Sequence, residues 1–95
     1  MLTPKQRAHL RSLANPISQR YLLGKEELAP GFLEELDKAL EAKELIKVGL
    51  LSSCALTPKE VSPKLCDALG CECAGIIGRV IILYRRSRKN PQINP

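Results

Sequence analysis

An α/β sandwich built on a four-stranded mixed sheet, in the order α-β-α-β-α-β-β, is the fold class this sequence predicts. Three observations carry it. Two helix-opening signatures of one kind, Thr3-Pro4-Lys5-Gln6 and Thr57-Pro58-Lys59-Glu60, stand far apart in the chain. In each, the threonine can cap, the proline suits the first helical turn, and the glutamine or glutamate completes a capping box. Apolar residues recur at helical spacing after both and again after Pro30, with short strand-like runs between them. Finally, 95 residues support one hydrophobic core, so a single domain is expected over 1–86, with a basic flexible tail at 87–95.

The first helix is predicted to run to Ala14, burying Leu10, Leu13 and Ala14, with Lys5, His9 and Ser12 facing away and Arg7 and Arg11 on the flank. Asn15-Pro16 ends it. Ile17 to Leu23 has strand character and Gly24 turns it into a loop. Pro30 opens a second helix whose stripe is Phe32, Leu33, Leu36, Ala39 and Leu40. Glu34, Glu35, Lys38 and Glu41 form its outer face and Asp37 its flank. Leu45 to Leu51 reads as a strand. The third helix buries Val61, Leu65, Ala68 and Leu69 and stops at Gly70. Pro63 falls inside it, so the regular helix starts either at Pro58 or at Ser62-Pro63. Glu72 to Arg85 gives two strands broken at Gly78-Arg79. The strand-helix-strand steps imply parallel pairs joined by right-handed crossovers, and the last two strands a hairpin. Strand order is left open.

The net charge of +5 biases the chain toward a polyanionic partner. Its distribution is more informative. Residues 1–25 carry Lys5, Arg7, Arg11, Arg20 and Lys25 and no acid; residues 79–95 carry Arg79, Arg85, Arg86, Arg88 and Lys89 and no acid. The acids concentrate in residues 26–44. If the first helix packs beside the last strand, the two basic ends merge into one electropositive face able to displace counterions from nucleic acid. Only Tyr21, Phe32 and Tyr84 are aromatic, which favours phosphate and shape contacts over a base-stacking platform.

Other chemistries find little support. Cys54, Cys66, Cys71 and Cys73 lack paired C-x2-C spacing, and no secretory segment argues for disulfides, so buried or reduced thiols are expected and no metal or cofactor. His9 has no nucleophile tied to it by sequence, and the acids at 34–41 follow helical periodicity as a solvated face. No enzyme activity and no small-molecule substrate are expected. No apolar run reaches the ~18 residues of a membrane span, so a cytoplasmic protein without membrane contact is expected, and a monomer.

Leu22-Leu23-Gly24-Lys25, Glu44-Leu45-Ile46-Lys47-Val48, Ile77-Gly78-Arg79 and Leu83-Tyr84-Arg85, with Leu2-Thr3, Lys5-Gln6 and Leu13-Ala14 at the start, resemble the signature segments of the YhbY-like, CRM-domain RNA-binding family. Their joint order and spacing carry the resemblance, which reaches to about Arg86. It implies a fold similar to the C-terminal domain of translation initiation factor three and no catalysis. Its stand-alone bacterial members are associated with precursors of the large ribosomal subunit. It also implies a G-x-x-G loop, like that of KH domains, after the first strand. Gly24 and Lys25 match its start, but Glu27 stands where the second glycine would be, placing a negative charge beside the phosphate. The expected RNA contacts are therefore Lys5, Arg11, Arg20, Gly24, Lys25, Lys47, Arg79, Arg85 and Arg86, with ribosomal RNA as partner. The alternative is a protein-interaction adaptor docking through the acidic helix 30–43.

Overall fold

The computed structural model describes residues 2–25 and 28–95. Helices α1 (Pro4–Ala14), α2 (Pro30–Lys43) and α3 (Pro58–Leu69) alternate with strands β1 (Tyr21–Leu23), β2 (Leu45–Leu50), β3 (Glu72–Ile77) and β4 (Val80–Tyr84) in the predicted order. Both capping boxes form. The Gln6 N–H donates to Thr3 Oγ1 at 3.1 Å while Gln6 Oε1 accepts from the Thr3 N–H at 2.9 Å, and Thr57 and Glu60 repeat the exchange at 3.3 and 3.0 Å.

The strands lie in the order β1-β2-β4-β3. β1 is parallel to β2, and β4 is antiparallel to both of its neighbours. The Gly78-Arg79 turn, with Gly78 at φ 59°, makes β3 and β4 adjacent. The connection through α3 must then set β3 parallel to β2 with β4 between them. Strand alternation divides the core into two layers. On one face α2 and α3 pack Leu36, Leu40, Val61 and Leu65 against Ile46, Val48, Ile81 and Leu83. On the other, α1 packs Leu10 and Ala14 against Leu45, Ala74, Ile82 and Tyr84. Truncating any one of these leucines to alanine should cost about 2–5 kcal/mol. Two helices cover the first face and one the second, so part of the α1-side face stays open.

Several expectations are corrected. Leu13 is 39% exposed. The face α1 turns to the sheet is centred on Leu10 and Ala14, flanked as expected by Arg7 and Arg11, both half-buried with their heads satisfied. Arg7 donates to the Leu2 carbonyl and Arg11 to the Ala74 carbonyl, each at 2.9 Å. Gly75 makes room for that Arg11 stem, since a Cβ there would sit 2.6 Å from Arg11 Cδ. The first strand begins at Tyr21 rather than Ile17, and Ile17 N–H instead closes a turn on the Ala14 carbonyl. β2 ends at Leu50. Ala68 is exposed. α3 starts at Pro58 and continues through Pro63, which faces solvent and takes one backbone donor from the helix.

The segment expected to be a loose tail makes defined contacts. Ser87 is buried, and Glu44, 2% exposed, accepts the N–H groups of Ser87, Gln92 and Ile93 at 2.8, 2.6 and 2.8 Å. Glu41 accepts the Ser87 hydroxyl at 2.6 Å and the Arg88 and Lys89 N–H groups at 3.1 and 3.2 Å. Among the described residues Glu44 alone is a non-glycine at positive φ, 66°. It occupies the position after α2 where glycine commonly ends a helix. Three backbone donors explain why a strained glutamate sits there.

Candidate functional site

β1, β2 and the β3-β4 turn converge at one end of the sheet, and the cations of that end are held in a particular way. Lys47 projects from β2 on the α1 side and donates to the Ile17 carbonyl at 2.8 Å. Arg79 donates from Nε to the Leu50 carbonyl and from a terminal nitrogen to the Leu51 carbonyl, both at 3.0 Å. Arg20 is exposed, and its side chain crosses Gly49: the site of a Gly49 Cβ lies 3.6 Å from Arg20 Cδ. Lys25, also exposed, follows Gly24. At Gly24 a Cβ would meet Leu51 Cδ1 and Ser53 Oγ at 3.3 Å, so glycine lets this loop lie close to the chain leaving β2. Carbonyl partners fix a guanidinium or ammonium in place without cancelling its charge, so Lys47 and Arg79 are oriented cations.

Beside them the open part of the α1-side face forms a groove of about 260 Å3 lined by Asn15, Arg20, Lys47, Ile77, Val80 and Ile82. None of these residues is acidic. The groove falls below the ~300–1,000 Å3 of pockets that enclose whole small molecules, and it is better suited to part of a larger ligand.

The remaining expected contacts lie elsewhere. Arg85 emerges at the opposite end of the sheet, turned toward α2 and α3. It pairs with Asp37 at 2.6 Å and also donates to the Leu69 and Asp37 carbonyls at 2.9 Å. Arg86 is exposed beside Glu44, whose carboxyl it helps to hold ionised. Lys5 is exposed at the start of α1, where Thr3, Lys5, Gln6 and His9 meet Asn94 and Pro95. The anticipated merging of both basic ends into one face is therefore incomplete: α1 does pack against β3 and β4, but Arg85 is spent on a carboxylate behind the sheet. The Glu27 position of the loop lies outside the described residues.

Periodicity reads Glu41 as part of a solvated face, and the structure gives it, and Glu44 just after α2, partners beyond β4. Burial pushes the Glu44 carboxyl up, but the N–H groups of Ser87, Gln92 and Ile93 outweigh it and leave its pKa lowered. The Ser87 hydroxyl, with the Arg88 and Lys89 amides, brings Glu41 from 4.5 to about 2. The groove between α2 and this segment, lined by Asp37, Glu41, Arg85, Arg88 and Lys89, mixes both signs and offers no net field for an anion. An acid at a helix end was the only available signal, since its partners are backbone groups far along the chain.

No described group of His, Cys, Asp and Glu could hold a metal ion. Two of the thiols are the reverse of activated: burial pushes Cys71 up to about 12 and raises Cys66 as well. No described helix is long and apolar enough to cross a membrane. The aromatics are engaged too. Phe32 packs on the core, Tyr84 is buried, and Lys43 sits 5.6 Å above the Tyr21 ring centre and donates to its hydroxyl at 3.1 Å.

Comparison with known proteins agrees with this architecture. The chain is 36% identical over 93 residues to the Bacillus subtilis protein named "Probable RNA-binding protein YqeI", covering 98% of this chain and 97% of that one. A Haemophilus influenzae "RNA-binding protein" is 30% identical over 88 residues, covering 93% and 89%. The solution structure of SAV1595 from Staphylococcus aureus, described as an RNA-binding candidate, superposes with a TM-score of 0.82 at 37% identity, covering 99% of this chain and 98% of that one. Residues 2–85 match the CRS1 / YhbY (CRM) domain, and the chain belongs to that family.

Proposed function

We propose that this protein binds structured RNA through phosphate and shape contacts, and that its target is ribosomal RNA in an assembling large subunit. The observation that carries the reading is the cluster of carbonyl-held and exposed cations, Lys47, Arg79, Arg20 and Lys25, around Gly24 and an acid-free groove. Such a cluster can replace the counterions of several phosphates while its orientation fixes the register of the backbone. Lys5 and Arg86 add outlying contacts, whereas Arg11 and Arg85 serve the fold first. The RNA-binding names of the relatives support the ligand class, and the association of stand-alone family members with large-subunit precursors supports the target.

Titrating a fluorescently labelled ribosomal RNA fragment across a salt series tests the mechanism. Log affinity should fall against log salt with a slope of about −0.7 to −0.9 per phosphate contacted. Salt-insensitive binding would sink it. Co-sedimentation with ribosomal particles should disappear after RNase treatment; persistence would instead favour protein docking through the acidic helix 30–43. That helix has already committed Asp37 and Glu41 to internal partners.

A further inference from the structure

We propose that the open half of the α1-side sheet face seats an unpaired nucleotide of the bound RNA, its base lying flat on an aliphatic row and its phosphate reaching Arg20 and Lys47. This inference rests on the RNA-binding reading and adds to it a preference for single-stranded segments.

The row follows from strand register. Leu22 pairs with Gly49, Gly49 with Val80, and Val80 with Ile77, so one line of residues crosses all four strands. Alternation turns this line to the α1 side, because Leu23, Val48, Leu50 and Ile81 face the opposite core. α1 stops short of it. Leu22 is 55% exposed and Ile77 57% exposed, the two most exposed of the large hydrophobic side chains described. Gly49 contributes no side chain, and Leu22 Cδ2 and the Arg20 stem close over it, 3.3 and 3.6 Å from where its Cβ would stand, so the row is continuous across the middle.

The neighbouring charges select the occupant. An apolar protein surface gains nothing from Arg20 and Lys47 at its rim, and a bare phosphate gains nothing from leucine and isoleucine. A nucleotide has a planar apolar face joined to an anion and matches both. A duplex keeps its base faces stacked inside the helix and cannot present them, whereas a loop, bulge or strand end can. With Tyr21, Phe32 and Tyr84 engaged elsewhere, this aliphatic row offers a base the surface that no aromatic ring does.

The test uses the full chain with a short thiouridine-bearing single-stranded RNA and with its duplex. The single strand should bind more tightly than the duplex, and photo-crosslinks on the unaltered protein should map to Leu22, Ile77 or Val80. The double variant Leu22→Thr/Ile77→Thr puts β-branched residues of good strand propensity at both exposed strand positions and so preserves the sheet. It should lose about five- to tenfold in single-strand affinity, toward the lower end of what base contacts contribute, with an unchanged salt slope because no phosphate contact is removed. Wild-type affinity of the double variant at every salt concentration, or crosslinks that avoid the row, overturns the seat while leaving RNA binding intact. Altered self-association of the variant with unchanged RNA affinity assigns the row to a second copy and also overturns the seat. Failure of the unaltered protein to bind either RNA defeats the underlying RNA reading instead.

Discussion

The two ends of the sheet hold cations by opposite means. At the Gly24 end, Lys47 and Arg79 are anchored by neutral carbonyls and keep their full charge. At the Glu44 end, Arg85 meets the Asp37 carboxylate, while Glu41 and Glu44 are saturated by the chain beyond β4. Residues 1–25 and 79–95 carry equal numbers of basic residues, yet they do not make equal fields. What decides whether a cation is available is the charge on the group that holds it, and this is a property of tertiary structure.

The contrast can be broken from either side. The largest expected effect is on stability at the locked end: Glu44→Ala removes the acceptor of three backbone N–H groups and should cost about 3 kcal/mol, read as a lowered urea midpoint. Glu44→Gly should recover only the part owed to the positive φ, about 1 kcal/mol. Full recovery would show that the carboxylate contributes nothing. Next, Arg20→Glu with Lys25→Glu should weaken RNA binding about thirtyfold while leaving the melting temperature nearly unchanged. Arg86→Gln should change affinity only about two- to threefold. A larger loss from Arg86 would invert the ranking of the two ends. Arg85→Met removes a pair whose side chains are 18% and 59% exposed, so after solvent screening the ion pair and its carbonyl contacts together should be worth about 1 kcal/mol.

The smallest effect is local and depends on pH. The Glu41 pKa is depressed on folding, so its contribution is fully present above 4.5 and is lost as pH falls through about 2. The Arg88 and Lys89 amides should lose protection across that window, measured against an unstructured peptide at the same pH, while β2 and β4 amides stay protected. Coincident opening of both would mean that the segment and sheet unfold as one unit.

Much of this architecture is legible before any coordinates. The Thr57 capping box shows itself in four consecutive residues, and the alternation of β2 in its apolar pattern, because both are set by near neighbours. The candidate site is legible only as a set of residue types. Arg79 and Arg85 look alike in sequence; they differ because the β3-β4 turn delivers one to the end of β2 and the last strand delivers the other behind the sheet, against Asp37. Helical spacing puts Arg7 and Arg11 on the flank of α1, where they do lie, but it does not show that the Arg11 stem crosses Gly75 to reach the Ala74 carbonyl. The open row could not be anticipated either, since Leu22 and Ile77 look like core residues until strand order and the length of α1 are known.

The family match ends at residue 85, but the hydrogen bonds of the Glu41 and Glu44 carboxylates are not complete until Ile93. A chain shortened after Arg86 would lose every backbone amide that Glu41 and Glu44 receive from beyond β4. It would bare two acids one helical turn apart at the edge of an otherwise basic molecule. The contacts of the fold therefore extend beyond the segment that sequence similarity marks out, through the Ser87 hydroxyl as well as through peptide groups. Arg88, Lys89 and Gln92 supply backbone donors to these carboxylates and could vary in composition, apart from proline, whereas Ser87 supplies its hydroxyl as well.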